Sequence, residues 1–254
     1  MGARTIIVGR DAARTTRALA AIKSRARADA ASYLCDFSSQ ADIRRLAAEV
    51  QRDHPSLHVL VNNAGGVNKH RTLTADGIER TFATNHLGYF LLTTLLLDLL
   101  KRSAPARVVT VASVGHRRGT MDFGDLGFER GYWIMRAYAR SKLANVLFSN
   151  ELARRLQGTG VTSNSLHPGR VATNIWSGAP LWTKPYIHFF LRPTFITAEI
   201  GARTIVDLAV SPAFERTTGQ YFEEGVAVLP SPLAQDAALA ARLWEVSAAL
   251  TQLK

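Results

Sequence analysis

The sequence predicts a doubly wound α/β fold, a mainly parallel sheet covered by helices on both faces. Short runs rich in Val and Ile alternate with longer helical patterns along the whole chain. Those runs are apolar on both faces, as strands buried between two helix layers must be. At 254 residues and 47% hydrophobic composition, the chain has ample material for a single core.

"RTIIVG" (4–9) reads as the first strand, followed by an Arg-rich helical pattern over 11–28. "ASYLCD" (31–36) is the second strand, with a helix over 39–53, and "LHVLVNN" (57–63) the third. The pattern over 76–102 includes "FLLTTLLLDLL", which contains Asp98 and is too short for a membrane span, so it reads as a core helix. "ARVVTVAS" (106–113) and "VTSNSLH" (161–167) flank a helix over 133–158. After a helix over 197–210, "GQYFEEGVAVL" (219–229) is the last strand and 234–250 the last helix. No repeat, linker or low-complexity tract interrupts the chain, so residues 1–254 read as one domain.

The formal charge is +11, from 31 Lys+Arg against 20 Asp+Glu, and much of the excess lies early. Arg4, Arg10, Arg14, Arg17, Lys23, Arg25 and Arg27 face only Asp11 and Asp29. No aromatics interleave with them to stack on bases, so a solvated helix face with one phosphate ligand is favoured over a nucleic-acid surface. Cys35 is the single cysteine, which rules out an internal disulfide and suits a reducing compartment. Pro55 interrupts the His54/His58 pair, and no metal site is expected. The first apolar run is four residues, too short for a signal-peptide core, and Ile6 stands where a myristoylation motif needs Ser or Thr. A cytoplasmic protein without membrane contact is expected; homo-oligomerisation is left open.

Ligands of such folds bind outside the carboxyl ends of the strands. "NNAGG" (62–66) follows the third strand; it reads either as an ordinary turn or as a passage where Gly65 and Gly66 admit a ligand. "ASVGH" presents Ser113, but Val111 occupies the glycine position of a nucleophile elbow, which weakens a serine hydrolase. In "YARSK", Tyr138 and Lys142 are four apart and share a helical face. An ammonium near a phenol favours the phenolate and makes a usable general acid/base. "HPGRVATN" forces a turn at Pro168–Gly169, with Val171 and Thr173 following. Asn85 lies inside an apolar helix, where its amide needs partners.

The order Asn-Ala-Gly, Asn, Ser, Tyr-x-x-x-Lys, Pro-Gly resembles the short-chain dehydrogenase/reductase family, a Rossmann-like fold. "TNHLGYFLLTTLLLDLLKRSAPARVVTVAS", "YARSKLANVLFSNELARRL" and "HPGRVATNIW" are similar to its retinol-dehydrogenase-like branch, and the likeness runs from residue 2 onward. The resemblance implies a catalytic set of Asn85, Ser113, Tyr138 and Lys142. Tyr138 would exchange the proton, Lys142 would lower its pKa and bind the nicotinamide ribose, and Ser113 would hold the substrate oxygen. Asn85 would hold a water linking Lys142 to solvent. Asp36 and Phe37 would contact adenine, with Asn62, Ala64 and Gly65 lining the groove. Pro168, Gly169, Val171 and Thr173 would grip the nicotinamide end. Arg10 stands where an acidic residue would bind the ribose 2′-hydroxyl; an arginine suits a 2′-phosphate, so NADP is favoured, with NAD the alternative.

In that family "GARTIIVGRD" resembles the second strand and its approach, so the first strand, its glycine-rich turn and first helix, roughly 25 to 30 residues, are expected to be absent from this sequence. The strand order implied is 3-2-1-4-5-6-7, and deleting its first strand separates "RTIIVG" from "LHVLVNN" by roughly 10 Å. Either the halves pair directly or two edges stay unpaired. Met1 is read either as an internal methionine of a longer enzyme or as the start of a cofactor-poor interaction or regulatory module. The aromatic stretch 177–202, with Trp182, Tyr186, Phe189, Phe190 and Phe195, reads either as a lid, or as a helix pair packing on the core or an oligomer or membrane-contact surface. By the resemblance, a lid there would cover a lipophilic alcohol, aldehyde or ketone.

Overall fold

The computed structural model describes residues 2–25, 28–169 and 196–253. Strand β1 (Thr5–Gly9) leads through α1 (Ala12–Lys23) to β2 (Ala30–Leu34), then through α2 (Gln40–Asp53) to β3 (Val59–Asn62). A short helix α3 (Arg80–Phe82), a π-helical turn (Ala83–Leu87), α4 (Gly88–Leu95) and α5 (Leu97–Arg102) precede β4 (Ala106–Val111). Helix α6 (Ile134–Arg155), β5 (Val161–His167), α7 (Ala198–Val210), β6 (Tyr221–Glu223), β7 (Val226–Val228) and α8 (Ala237–Leu250) complete the order. Several helices open on side-chain caps that take up otherwise unpaired N–H groups. Asp11 accepts from Arg14 N, Ser39 from Asp42 N and Asp236 from Leu239 N.

The strands form two sheets. β1 pairs with β2 in parallel from Thr5↔Ala30 to Gly9↔Leu34. β3, β4, β5 and β6 pair in parallel, and β7 closes that sheet antiparallel to β6. This agrees with the implied order on either side of an interruption. No ladder joins β1 to β3, so of the two outcomes foreseen the halves stay unpaired, and Val61 on β3 is 38% exposed. What bridges them is helical. Ile43, Leu46 and Val50 of α2 and Leu91 and Leu92 of α4 pack with Val8 and Tyr33 of one sheet and Leu60 of the other. The central sheet is covered more completely: Phe148 and Leu152 of α6 meet Val108 of β4, Val161 of β5 and Phe90 of α4.

Two expected elements are subdivided. The strand expected over 219–229 is a hairpin, because Glu224 and Gly225 both take positive φ (50° and 80°), the two-residue turn that suits strand twist. The helix expected over 76–102 contains the π-helical turn at Asn85 and a break at Leu96. Among the described residues no helix is long and apolar enough to cross a membrane, and no group of three or more metal-ligating side chains gathers.

Cys35 follows β2 and is only 3% exposed, and burial pushes its thiol up to about 12. The native protein is therefore expected to resist alkylation at pH 8, reacting with iodoacetamide only after urea unfolding. Prompt stoichiometric labelling of the native chain would contradict that burial.

Candidate active site

Because β1 to β6 run parallel within their sheets, the segments that follow them carry the candidate residues. Ser113 follows β4 in extended conformation, buried, and its Oγ accepts from Gly115 N at 3.1 Å. Helix α6 crosses beside this turn. Its Tyr138 ring lies against the turn, with Cε1 3.5 Å from where a Cβ on Gly115 would stand. One turn further along, Lys142 is 4% exposed and donates from Nζ to Val111 O at 2.9 Å. Its Nζ is 5.8 Å from the Tyr138 ring centre and 5.9 Å from that of Tyr89.

The electrostatics differ from the simple ammonium–phenol expectation. Burial pushes the Tyr138 phenol up, and a hydrogen bond with Ser113 opposes that only in part. Lys142, bound to a carbonyl and desolvated, is held down at about 7 from 10.5. Desolvation is the largest cause at both groups, and it favours the protonated phenol at Tyr138 and the neutral amine at Lys142. A stability consequence follows from Lys142. Between about pH 7 and 10.5 the unfolded chain holds this proton and the folded chain does not, so stability rises with pH across that window. Below pH 7 both states are protonated and the dependence ends. Urea unfolding of wild type against Lys142→Met is expected to show this rise in the wild type alone; parallel curves would refute the burial argument.

Asn85 is fully buried in the π-helical turn, a form frequent at functional sites. Its Oδ1 accepts from Gly66 N at 2.9 Å, and its Nδ2 donates to Gly66 O at 2.9 Å and Ser141 Oγ at 3.0 Å. The side chain thus staples the 62–66 loop to α6. Asn62 is buried too and donates to Thr93 Oγ1 at 2.9 Å, fixing the end of β3 to α4. Ala64 is half-buried and Gly65 exposed, so these two present backbone to the crevice. A Cβ at Gly65 would stand 3.1 Å from Asn85 Oδ1 and 3.7 Å from the Tyr89 hydroxyl. That hydroxyl is buried without a hydrogen-bond partner.

Across the interruption, Arg10 is exposed after β1, and Asp36 and Phe37 are half-buried after β2. Burial disfavours the Asp36 charge, but the Ser38 N–H and hydroxyl, then Arg10 and Arg80, outweigh it and hold the carboxyl below the usual range. Phe37 packs on α4, where a Cβ at Gly88 would come within 2.9 Å of its ring. Pro168 and Gly169 follow β5, and Gly169 takes φ +86°, which favours glycine. Val171, Thr173 and the aromatic stretch from Trp182 to Phe195 lie outside the described residues.

Sequence reasoning overlooked several participants. Asn145, one turn beyond Lys142, donates to the same Val111 carbonyl at 3.3 Å; its i+3 spacing was a usable signal. Arg80 reaches Asp36 from a distant helix, and His116 sits beneath Ser113, neither with a local signature.

A sequence model of short chain dehydrogenases matches residues 1–183. Retinol dehydrogenase 14 of Mus musculus is 44% identical over 214 residues, 84% of this chain and 64% of that protein. Retinol dehydrogenase 12 of Homo sapiens is 43% identical over 219 residues, covering 86% of this chain and 69% of the relative. The human WW domain-containing oxidoreductase is 40% identical over 261 residues, 99% of this chain and 63% of its own length. The chain thus spans just under two thirds of the length of some of these relatives. Among solved structures, a putative uncharacterized protein from Mycobacterium paratuberculosis superposes with TM-score 0.76 at 30% identity, over 99% of this chain and 94% of the other. The Pseudomonas aeruginosa RhlG/NADP active-site complex gives TM-score 0.69 at 26% identity, over 94% and 87%.

Proposed function

The chain belongs to the short-chain dehydrogenase/reductase family, and on that premise we propose that it interconverts a lipophilic alcohol and its aldehyde or ketone with NADP(H). The observation that carries the reading is the meeting of Tyr138, Ser113 and Lys142 at the carboxyl end of β4. The two ends of a dinucleotide site also fit the residues present. Arg10 and Arg80 beside Asp36 suit a phosphate-bearing ribose, and the unpartnered Tyr89 hydroxyl beside side-chain-free Gly65 offers a polar contact in the crevice. Lys142 and the Pro168–Gly169 turn would hold the nicotinamide end.

When bound, the nicotinamide supplies or accepts the hydride. Ser113 Oγ holds the substrate oxygen, and Tyr138 gives that oxygen a proton as negative charge develops on it. Burial favours the protonated Tyr138 phenol, the form that donates the proton in carbonyl reduction. The retinol dehydrogenases among the relatives support an apolar substrate.

A rival reading, an interaction module without hydride chemistry, draws on one observation. Helix α1, which follows β1, opens on the Asp11 carboxylate rather than on free N–H groups that would suit a phosphate. Fluorescence titration with NADPH separates the two. Binding is expected, and Arg10→Asp should weaken NADPH at least about tenfold while sparing NADH, the scale of one charge-assisted contact. No binding of either nucleotide would favour the module; equal weakening of both would remove Arg10 from cofactor choice.

A further inference from the structure

His116 lies beneath the Ser113 turn, fully buried, with no part in the chemistry proposed above. Its Nδ1 is 2.7 Å from Ser113 O, and its Nε2 is 3.0 Å from the backbone nitrogen of Ser231. A backbone N–H can only donate and a carbonyl can only accept. Nε2 must therefore carry the lone pair and Nδ1 the proton. Two independent neighbours select one tautomer of a neutral ring, where a histidine with a single partner leaves the choice open. The ring also stands edge-on to Tyr221 of β6 at 4.8 Å, and burial depresses its basicity.

The Ser113 carbonyl is thus gripped twice by one residue, by the His116 N–H at 3.0 Å and by its imidazole. That carbonyl sets the peptide plane through which the chain turns into Gly115, whose N–H in turn holds Ser113 Oγ. We propose that His116 is a positioning residue: as an Nδ1-protonated neutral imidazole it fixes Ser113, and so the aim of its hydroxyl at Tyr138, against the segment around Ser231. Arg117 runs a parallel tie, donating to Glu223 Oε1 at 3.0 Å and Leu229 O at 3.1 Å. The serine turn is consequently registered to a segment more than a hundred residues further along the chain, rather than to its own strand alone.

The inference rests on the role proposed for Ser113, and two substitutions divide the ring's functions. Asn places an amide N–H where Nδ1 stands, so His116→Asn keeps the donor to Ser113 and loses the acceptor for Ser231. Gln reaches the Nε2 position, so His116→Gln keeps the acceptor and loses the donor. With NADPH and a lipophilic aldehyde, His116→Gln is expected to lose roughly ten- to hundredfold in kcat with KM for NADPH unchanged, whereas His116→Asn retains most of kcat. Equal losses in both, or none in either, would reduce His116 to a packing residue and overturn the proposal. Long-range 15N–1H NMR of the wild type must report a proton on Nδ1 at neutral pH; an Nε2-protonated ring refutes it without any assay. Were NADPH neither bound nor consumed, the functional reading above would fall. The positioning claim would then be judged on the crystal structure of His116→Gln, where an unmoved Ser113 overturns it.

Discussion

Tyr138→Phe is expected to lower carbonyl reduction by roughly 10²–10⁴-fold, the range for losing a positioned general acid. The substitution removes one oxygen and leaves the ring against Gly115, so folding should be untouched and circular dichroism should match the wild type. Burial raises the phenol's pKa, which keeps the proton available at neutral pH. The phenol should therefore cause no loss of activity at neutral pH, and the loss that follows its ionisation should lie on the alkaline side. NADPH affinity should change little. Unchanged turnover in the variant would remove the mechanism. Loss of an esterase activity in Ser113→Ala, with Tyr138→Phe harmless, would point instead to a hydrolase.

Asn85→Ala is expected to destabilise the fold by about 3 kcal/mol, because it leaves the Gly66 N–H and C=O without their partner and costs the contact to Ser141. For a chain of this size that corresponds to a melting temperature lowered by about 10 °C. The loop at 62–66 would lose its tie to α6, so NADPH affinity should fall with stability. Urea unfolding and nucleotide titration on the same sample check both. A variant as stable as wild type would mean that the staple contributes nothing, and that water readily replaces the amide.

The parts of the fold that local chemistry determines were legible from residues alone. Val- and Ile-rich runs marked the strands, and the i,i+4 spacing of Tyr138 and Lys142 placed both on one face of α6. The hairpin at β6–β7 had a readable signal in Glu224-Gly225 between apolar runs. The rest depends on partners far apart in sequence. Asn85 lies in a π-helical turn and bonds Gly66, and nothing beside it announces either. The protonation states of Tyr138 and Lys142 follow from how deeply each is buried, a quantity that spacing does not carry. His116 acquires its role only once Ser231 arrives from the far end of the chain.

With no ladder between β1 and β3, the unit from β1 to β2 is held to the remainder by side-chain contacts. Val8 and Tyr33 pack with α2, α4 and Leu60, the Tyr33 hydroxyl meets Asp53 Oδ2 and His54 Nε2, and Arg45 donates to Leu34 O. Packing without shared backbone bonds makes a weak mechanical joint, so this unit can open as its own foldon while β3 to β7 stay closed. Arg10 and Asp36 ride on that unit, and Ser113, Tyr138 and Lys142 on the other. Nucleotide gripped at both ends would weld the two together, so cofactor occupancy and cooperativity of unfolding become one quantity.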